Sequence, residues 1–545
     1  MLNAGICGLI EFLKRNYAVE DVDYKIENQN LYLSIDYLKN NDIPKMYVET
    51  MADKFEKTTK FYRIISKKAN VDKIYAIKEK NDKNIADLKK EYSDLYTMLS
   101  KKSYTSLYTV WESYGVKKGI SLCDIDAFNK EKDEDEKYKK YCDLINSISE
   151  DKVKSLLIYT ELIYTYFKLF FNENPMSKKI TCLCDNKKSF YNVYSDNFFE
   201  PLLNEIEVDE KKKKTRCIEC LNGMFTKKEF TFLVDTANDV KRKTSYFWNY
   251  DADAYVCPVC SFVYSFMPMG FVLCGQDALF INSNNSINSM LEKNSVLGEK
   301  VEGETTVRRR ILRVFTEEKI DALNNISSNL QVVMRSPEYA HFKFDVIDKN
   351  IIYSMHYGKK YFKNLENKYY VIKGKNDIYI SVYDMVMDAV LRHENLHGII
   401  DKMFKFEIGK DKSVNYLMNV LKLEIIFYGG KSMDDLKKKV DFSFQSGKAL
   451  RKCILGENAF SQGEEDDNKL RGIVYKLINL SASGNRTGFM DAVIRIYSGF
   501  NLTIPSVFKD CYLSDEMFHA IAHGFILGLK YVKYNSNNEE DNKNE

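Results

Sequence analysis

Two Cys-x-x-Cys pairs constrain the fold of this chain more than any other feature of its sequence. Cys217 and Cys220 form the first pair, Cys257 and Cys260 the second, near the middle of 545 residues. Each pair presents two soft ligands from one tight turn, and two pairs complete a tetrahedral site that suits zinc. The pattern predicts one structural Zn²⁺. Because four protein ligands leave no open coordination position, we expect this metal to catalyse nothing.

Two other uses of paired cysteines stay open at this point. Pro258 inside the second pair is typical of a redox dithiol at the start of a helix, and four cysteines can also hold iron–sulfur. A redox function needs only one pair, whereas the doubled pair matches known zinc spacings. A strand expected over 230–236 between the pairs is typical of a zinc ribbon with a small insertion. Cys182 and Cys184 are expected at the end of a strand.

Hydrophobic periodicity predicts an α+β fold: a mixed N-terminal domain with an inserted zinc-ribbon-like module, then an all-helical C-terminal bundle. Residues 31–38 alternate as in a strand, and 341–348 and 377–383 are further short strands. The polar segment 281–306 is the best candidate for a linker. The predicted divisions are a mixed α/β and helical region over 1–179, a zinc-binding module over 180–275, a second mixed region over 276–382, a helical bundle over 383–533 and a disordered tail over 534–545.

Charge and hydropathy limit the classes of partner. With 81 basic and 78 acidic side chains the net charge is +3, so any surface that binds nucleic acid must be local. The N-terminus lacks a basic segment ahead of an apolar run, which predicts a cytoplasmic protein without a signal peptide. The most apolar stretch, 156–171, contains charges and is too short for a bilayer. We therefore expect no membrane partner.

A second motif offers a competing function. His393, Glu394 and His397 form the pattern His-Glu-x-x-His, in which two imidazoles on one helical face bind zinc and the glutamate acts as base. If the segment is helical, Glu424 lies at a conceivable distance for a third ligand of a metallopeptidase. The extension that marks one large protease group is absent, so a bundle helix with a polar face is the simpler interpretation.

The last predicted helix carries another histidine pair. Ser514 is a good N-cap, and Asp515 and Glu516 suit the positive end of the helix dipole. His519 and His523 lie four residues apart beside a dense apolar stripe, without a nearby acidic ligand in the sequence. We expect these two histidines to pack or to form hydrogen bonds.

Charge and position supply the candidates for nucleic-acid binding. They are Asn3, Arg308, Arg309, Arg310, Arg313, Asn485 and Arg486. The four arginines share one predicted helix, where at least two can point the same way and bind phosphates in bidentate fashion. Asn485 and Arg486 open a helix whose N-terminus could receive a phosphate. A solvated helix and an ordinary helix cap explain the same residues equally well.

Three stretches together resemble the CXXC–CXXC family of CRISPR-associated proteins. They are the start LNAGICGLIEFL, the pairs CIEC and CPVC, and the end GNRTGFMDAVIRIYSGFNLTIP followed by DEMFHAIAHGFILGL. The resemblance implies a non-catalytic large subunit of a type I-B Cascade complex, which helps recognise the PAM in target double-stranded DNA. It implies as partners crRNA, the Cascade backbone and handle-binding subunits, the small subunit and a helicase–nuclease recruited to cut the DNA.

Three hypotheses for the function therefore stand beside each other: a DNA-binding Cascade subunit with structural zinc, a His-Glu-x-x-His metallopeptidase, and a zinc-stabilised protein-interaction module without nucleic acid. In RNA-guided recognition, pairing with the guide supplies sequence specificity, so the protein needs only a short binding surface. A nearly neutral chain is compatible with that role.

Overall fold

The structure is a computed structural model that describes most of the chain. The described residues are 1–77, 82–116, 119–172, 182–185, 187–230, 232–234, 255–283, 286–299, 307–317, 330–337, 341–372, 378–407, 414–428, 433–456 and 464–532. The chain divides into two compact units. The N-terminal unit comprises 1–299 and 331–344, and the C-terminal unit comprises 300–330 and 345–545. In the described ranges, no helix is long and apolar enough to span a membrane.

Helices make up most of the N-terminal unit. They are α1 (Leu2–Arg15), α2 (Ile35–Asn40), α3 (Ile43–Phe55), α4 (Lys60–Ile65), α5 (Lys68–Tyr75), α6 (Asp82–Leu99), α7 (Lys102–Tyr108), α8 (Leu122–Lys130), α9 (Glu134–Ile148), α10 (Asp151–Thr165), α11 (Phe190–Tyr194), α12 (Glu200–Glu207), α13 (Pro258–Ser265), α14 (Met267–Gly270) and α15 (Ile287–Gly298). Short 3₁₀ turns lie at Glu56–Thr58, Trp111–Tyr114, Phe167–Leu169 and Glu210–Lys212, and a π-helical turn at Ser195–Phe199 joins α11 to α12.

The strands are short and antiparallel. They are β1 (Tyr24–Glu27), β2 (Asn30–Leu33), β3 (Thr215–Arg216), β4 (Gly223–Met224), β5 (Lys228–Glu229), β6 (Tyr255–Val256), β7 (Val272–Cys274), β8 (Asp277–Asn282), β9 (Leu330–Arg335) and β10 (Lys343–Ile347). The first six strands form three two-stranded pairs in chain order, and the last four form one sheet in the order β10-β9-β8-β7. In that sheet Leu279 lies opposite Val272 on one side and Met334 on the other.

A cluster of tyrosines anchors α13 in the core of the N-terminal unit. The rings of Tyr47 and Tyr194 stack with centroids 4.0 Å apart. The Tyr47 hydroxyl donates to the Ser265 carbonyl oxygen at 2.7 Å, and the Tyr194 hydroxyl lies 2.8 Å from Ser265 Oγ. Buried hydroxyls usually find such partners, because leaving them unpaired is unfavourable. These bonds fix the end of α13, the helix that starts at the second cysteine pair.

The C-terminal unit is helical after one small hairpin. Its elements are α16 (Val307–Glu317), α17 (Lys349–Lys363), β11 (Tyr369–Ile372), β12 (Ile378–Ser381), α18 (Val382–Leu391), α19 (His397–Glu407), α20 (Leu417–Tyr428), α21 (Met433–Leu455), α22 (Glu464–Ala482), α23 (Arg486–Gly499), a 3₁₀ helix at Ser506–Tyr512, and α24 (Asp515–Leu529). From Val382 onward every described element is helical, as the sequence predicted. Ser514 caps α24 by accepting a bond from Met517 N at 3.1 Å, which confirms that prediction too.

The expected strand over 31–38 is only half right. β2 ends at Leu33, and α2 begins at Ile35. Ser34 Oγ accepts a hydrogen bond from Tyr37 N at 3.3 Å, so the serine acts as an N-cap that stops the strand and starts the helix. A local cap therefore overrides the alternating pattern.

The linker expected over 281–306 is wrong in its middle. Helix α15 occupies Ile287–Gly298, and Ser286 Oγ caps it by accepting from Ser289 N at 3.2 Å. Residues 300–306 lie outside the described residues, as does the tail expected over 534–545. The predicted strands over 341–348 and 377–383 are confirmed by β10 and β12. The five predicted divisions of the chain remain predictions.

Candidate metal centre

The first cysteine pair lies in the turn between β3 and β4. Cys217 N donates to the Asn222 carbonyl oxygen and Leu221 N donates to the Cys217 carbonyl oxygen, both at 3.0 Å. Leu221 has a φ of 61°, a left-handed conformation that reverses the chain directly after Cys220. The turn therefore presents both sulfurs on one side of a tight hairpin.

The second pair begins α13. Cys257 is the N-cap, and its sulfur accepts a hydrogen bond from Cys260 N at 3.4 Å. Pro258 occupies the first turn, where a missing N–H costs nothing because that group has no partner inside the helix. Ile218 N donates to the Tyr255 carbonyl oxygen at 3.0 Å, which ties the first turn to the strand leading into the second.

The two pairs converge on one point. Cys220 Sγ and Cys257 Sγ are 3.7 Å apart, and all four sulfurs lie within 4.8 Å of one another. Four sulfurs around one ion at Zn–S distances of 2.3 Å are about 3.8 Å apart in a tetrahedron. Sulfurs this close leave no room for a cluster of several iron and sulfide atoms. The four cysteines could therefore hold one metal ion such as zinc.

The pKa values of three thiols in this centre are shifted in different directions. The hydrogen bond from the Cys260 thiol lowers the pKa of Cys257 to about 6, against the effect of burial. Burial raises the pKa of Cys220 to about 11, and the bond to Cys257 raises the pKa of Cys260. The thiolate form of Cys257 is thus stabilised, whereas Cys220 and Cys260 keep their protons more firmly. Since metals bind thiolates, the uptake of an ion would release the remaining protons.

Among the residues that the structure describes, the cysteines form no disulfide. Cys182 and Cys184 are buried, and burial raises the pKa of Cys182 to about 12. Among the described residues, neither belongs to the group that could hold a metal. Of the strand expected over 230–236, the described residues are 230 and 232–234; Leu233 forms an antiparallel bridge with Phe171, and β5 (Lys228–Glu229) lies just before them. Residues 231 and 235–254 lie outside the described residues.

A buried carboxylate supports the loop after the first cysteine turn. Glu205 in α12 is 3% exposed, and its two oxygens accept hydrogen bonds from Phe225 N at 2.8 Å and Thr226 N at 2.9 Å. Bonds from backbone N–H groups to a carboxylate are stronger than neutral ones. Sequence reasoning missed this residue, because nothing near Glu205 marks it as different from the other acidic residues of its helix.

A cavity of about 400 Å³ adjoins the first cysteine turn. Aromatic side chains form much of its wall, together with Asn3 of α1 and Glu219, which stands between the first two cysteines. The aromatic residues are Phe230, Tyr264, Phe342 and Phe344. Asn3 Nδ2 donates to Asn282 Oδ1 at 2.8 Å, which orients its amide.

A basic edge runs into the first cysteine turn. Lys211, Lys212, Lys214 and Arg216 are exposed, and we call them the basic edge. Leu221 and Phe225, 66% and 55% exposed, follow on the same module, so apolar side chains stand in water close to cationic ones.

The predicted arginines of α16 are held largely by the protein. Arg309 Nη2 donates to the Glu366 carbonyl oxygen at 2.7 Å, and its guanidinium lies 5.4 Å from the ring centre of Tyr383. Arg313 is buried and Arg310 is half-buried. The side chain of Arg308 lies outside the described residues.

Asn485 and Arg486 have local partners at the start of α23. Asn485 is the N-cap and accepts from Gly488 N at 2.8 Å, while Arg486 forms an ion pair with Asp515. Both belong to the C-terminal unit, as do the arginines of α16, whereas Asn3 belongs to the N-terminal unit. A role of these residues in binding nucleic acid stays a prediction.

The expectation that His393 and His397 share a helical face is wrong. α18 ends at Leu391 and α19 begins at His397. His393 has a φ of 58°, and Glu394 N donates back to the Ala389 carbonyl oxygen at 2.8 Å, which closes the end of α18. The metallopeptidase geometry, two histidines one turn apart with the glutamate between them, is absent from this segment.

The prediction that His519 and His523 lack an acidic neighbour is also wrong. Asp401 Oδ1 lies 2.8 Å from His523 Nε2, although the two residues are 122 positions apart in the chain. By contrast, Glu424 was expected near the first histidine motif, and its Oε1 lies 3.1 Å from His397 Nε2.

The two cysteine turns and their short strand pairs form a four-cysteine module that could hold a metal ion. Residues 210–272, which contain both turns, match a family described as CRISPR-associated protein (Cas_CXXC_CXXC). No curated protein and no solved structure matches the chain.

Proposed function

We propose that the chain is the non-catalytic large subunit of a type I-B CRISPR Cascade complex. It binds crRNA-guided target DNA, helps recognise the PAM in the duplex and recruits a separate helicase–nuclease in antiviral defence. The observation that carries the proposal is the convergence of four cysteine sulfurs within the segment that matches the CRISPR-associated family. The parts of the chain outside residues 210–272 supply only supporting features.

In this proposal the metal is a single Zn²⁺ held by Cys217, Cys220, Cys257 and Cys260. The soft four-thiolate donor set and the 3.7 Å separation of two of its sulfurs fit that ion. When bound, zinc links segments of chain that are 37 positions apart and supplies no reactive position. The residues of the module then act as a rigid support for the basic edge and for the wall of the adjoining cavity.

The surface chemistry around the module suits a nucleic-acid duplex. Exposed lysines bind phosphates and release counterions, which gives affinity without sequence preference. The side chains of Asn3 and Phe344 line the adjoining cavity, and Phe344 is exposed. An asparagine amide can contact a base edge, and an exposed aromatic ring can stack on a base where the duplex opens. Because guide pairing carries the sequence specificity, a short surface of this kind is enough to read a PAM.

Co-purification tests this function. The full-length chain is expressed with the Cascade backbone and handle-binding subunits, the small subunit and a crRNA, and binding is measured on matched duplexes with and without a PAM. We expect the chain to enter the complex and the complex to bind the PAM-containing duplex more tightly. A complex that excludes the chain, or one that contains it and binds both duplexes equally well, would contradict the proposal.

One observation favours a second candidate, a zinc-stabilised protein-interaction module. Leu221, Phe225 and Val259 are exposed apolar side chains on or next to the cysteine turns. Such a module binds a protein partner through these residues and does not bind DNA. It predicts stable capture of a protein partner and no change in DNA affinity when the basic edge is neutralised.

A further inference from the structure

Three helices of the C-terminal unit bring ligand-type side chains together in a buried cluster. Asp401 lies on α19, and His519 and His523 lie on α24. The ligand atoms of these three residues are within 4.8 Å of one another, and the shortest contact is the 2.8 Å between His523 Nε2 and Asp401 Oδ1. His397 of α19 and Glu424 of α20 adjoin them. Three of the chain's six histidines thus meet at one place.

Ring nitrogens of this cluster are buried without a hydrogen-bond partner among the described residues. His523 is 0% exposed and His397 is 8% exposed. Nδ1 of His397, His519 and His523 has no hydrogen-bond partner among the residues that the structure describes. Buried polar atoms in folded proteins almost always have a partner, so several orphaned ring nitrogens in one place indicate a missing ligand. The roles expected from the sequence were packing and hydrogen bonding; the contact of His523 with Asp401 fits that expectation, but the unpaired Nδ1 atoms are not explained by it.

The rings face one another closely. The ring centres of His397 and His519 are 4.7 Å apart, and those of His519 and His523 are 5.8 Å apart. Burial, together with the neighbouring imidazoles, lowers the pKa of His397 to about 2, and burial also lowers the pKa of His519. A lowered pKa favours the neutral form of these two rings. Neutral imidazole is the form that binds metals.

We propose that Asp401, His519 and His523 bind a divalent transition-metal ion of the zinc class. Two imidazoles and one carboxylate are a common donor set for Zn²⁺. Ligand atoms around one such ion are roughly 3 to 4 Å apart, so sub-ångström shifts would bring the three within bonding distance. The ion would also give the buried carboxylate of Asp401 a positively charged partner.

The site goes beyond the proposed function, since it lies outside the segment 210–272 and involves no nucleic acid. The ion joins α19 to α24, two helices that are far apart in sequence. His519 is half-buried, so the ion can enter from that side. His397, whose Nε2 lies 3.1 Å from Glu424 Oε1, borders the cluster.

The test is a metal count on the purified full-length chain. The chain is incubated with Zn²⁺, dialysed, and analysed by plasma mass spectrometry. We expect two ions per chain, one from the cysteines and one from this cluster. His519→Gln, which alters a half-buried ligand, and Asp401→Asn should each lower the count to one. The matched control His356→Gln, a half-buried histidine of α17, should keep two.

Loading the chain with Co²⁺ in place of Zn²⁺ shows which of the two sites each ion occupies. Co²⁺ bound to thiolates gives intense charge-transfer absorption, whereas Co²⁺ bound to nitrogen and oxygen gives only weak visible bands. We expect one equivalent of each kind in the wild type, and loss of the second kind alone in His519→Gln. A wild-type chain that takes up only the thiolate-bound equivalent would overturn the proposal. So would a folded His519→Gln or Asp401→Asn chain that retains both ions.

Discussion

Gly8 of α1 lies directly against the carbonyl oxygen of Phe266, at the end of the helix that the second cysteine pair begins. A Cβ at Gly8 would stand 2.1 Å from that oxygen, and one at Gly5 would stand 2.5 Å from the Val263 oxygen. Only glycine allows two backbones to approach so closely. The glycines of the N-terminal stretch therefore hold α1 on α13, which links two of the three stretches that resemble the CRISPR-associated family.

Gly8→Ala tests this contact. The added methyl group overpacks a rigid backbone contact, and we expect a loss of about 1–3 kcal/mol in the free energy of unfolding. Urea unfolding followed by circular dichroism measures it. Gly298→Ala is the control in the same unit, since the nearest atoms to its Cβ are 3.8 Å away. Equal midpoints for the two variants would show that α1 does not need the glycine.

Glu205→Ala tests the support of the cysteine module. Removing the carboxylate leaves the N–H groups of Phe225 and Thr226 without their acceptors, so we expect a loss of about 2–3 kcal/mol. Amide hydrogen exchange should also accelerate across 223–229. Glu207→Ala, in the same helix but with a solvent-exposed ion pair to Lys39, should change neither measurement. If both variants behave alike, Glu205 does not hold the loop.

Neutralising the basic edge tests its role in binding DNA. In the assembled complex, replacing Lys211, Lys212 and Lys214 by Ala should weaken binding and reduce the slope of log affinity against log salt by about 2 to 3. The control replaces Lys83, Lys89 and Lys90, exposed lysines of α6, and should leave the slope unchanged. The same slope in both variants and the wild type would exclude the basic edge from the DNA interface.

The arginines of α16 should separate into two kinds. Arg309→Ala removes the bond to the Glu366 carbonyl oxygen and the contact with Tyr383, so we expect it to destabilise the C-terminal unit by about 1–3 kcal/mol. Arg310→Ala, at a half-buried arginine, should weaken DNA binding by the complex. An Arg309→Ala chain of wild-type stability would contradict this division.

Structural features that depend on residues close together in the chain could be predicted from the sequence. The spacing within each cysteine pair predicted a turn that presents two sulfurs, and Ser514 marked the start of α24, because each depends on residues a few positions apart. The failures have the same origin. The pattern at His393 and His397 predicted a shared helix, but a left-handed residue separates α18 from α19.

Partners that are distant in the chain could not be predicted. The sequence offered no reason to pair Asp401 with His523, or Glu205 with the loop at Phe225, because folding alone brings them together. A buried carboxylate looks like a surface one in a sequence, since both occur in helices with mixed polarity. The cluster on α19 and α24 therefore emerged only from the structure.

X-ray absorption at the zinc edge tests the central claim most directly. The full-length His519→Gln chain, which lacks a ligand of the second site, is purified under reducing conditions and its metal shell is measured. We predict one zinc ion per chain surrounded by four sulfurs at about 2.3 Å. A chain without metal, or a zinc shell of nitrogen and oxygen, would contradict the account.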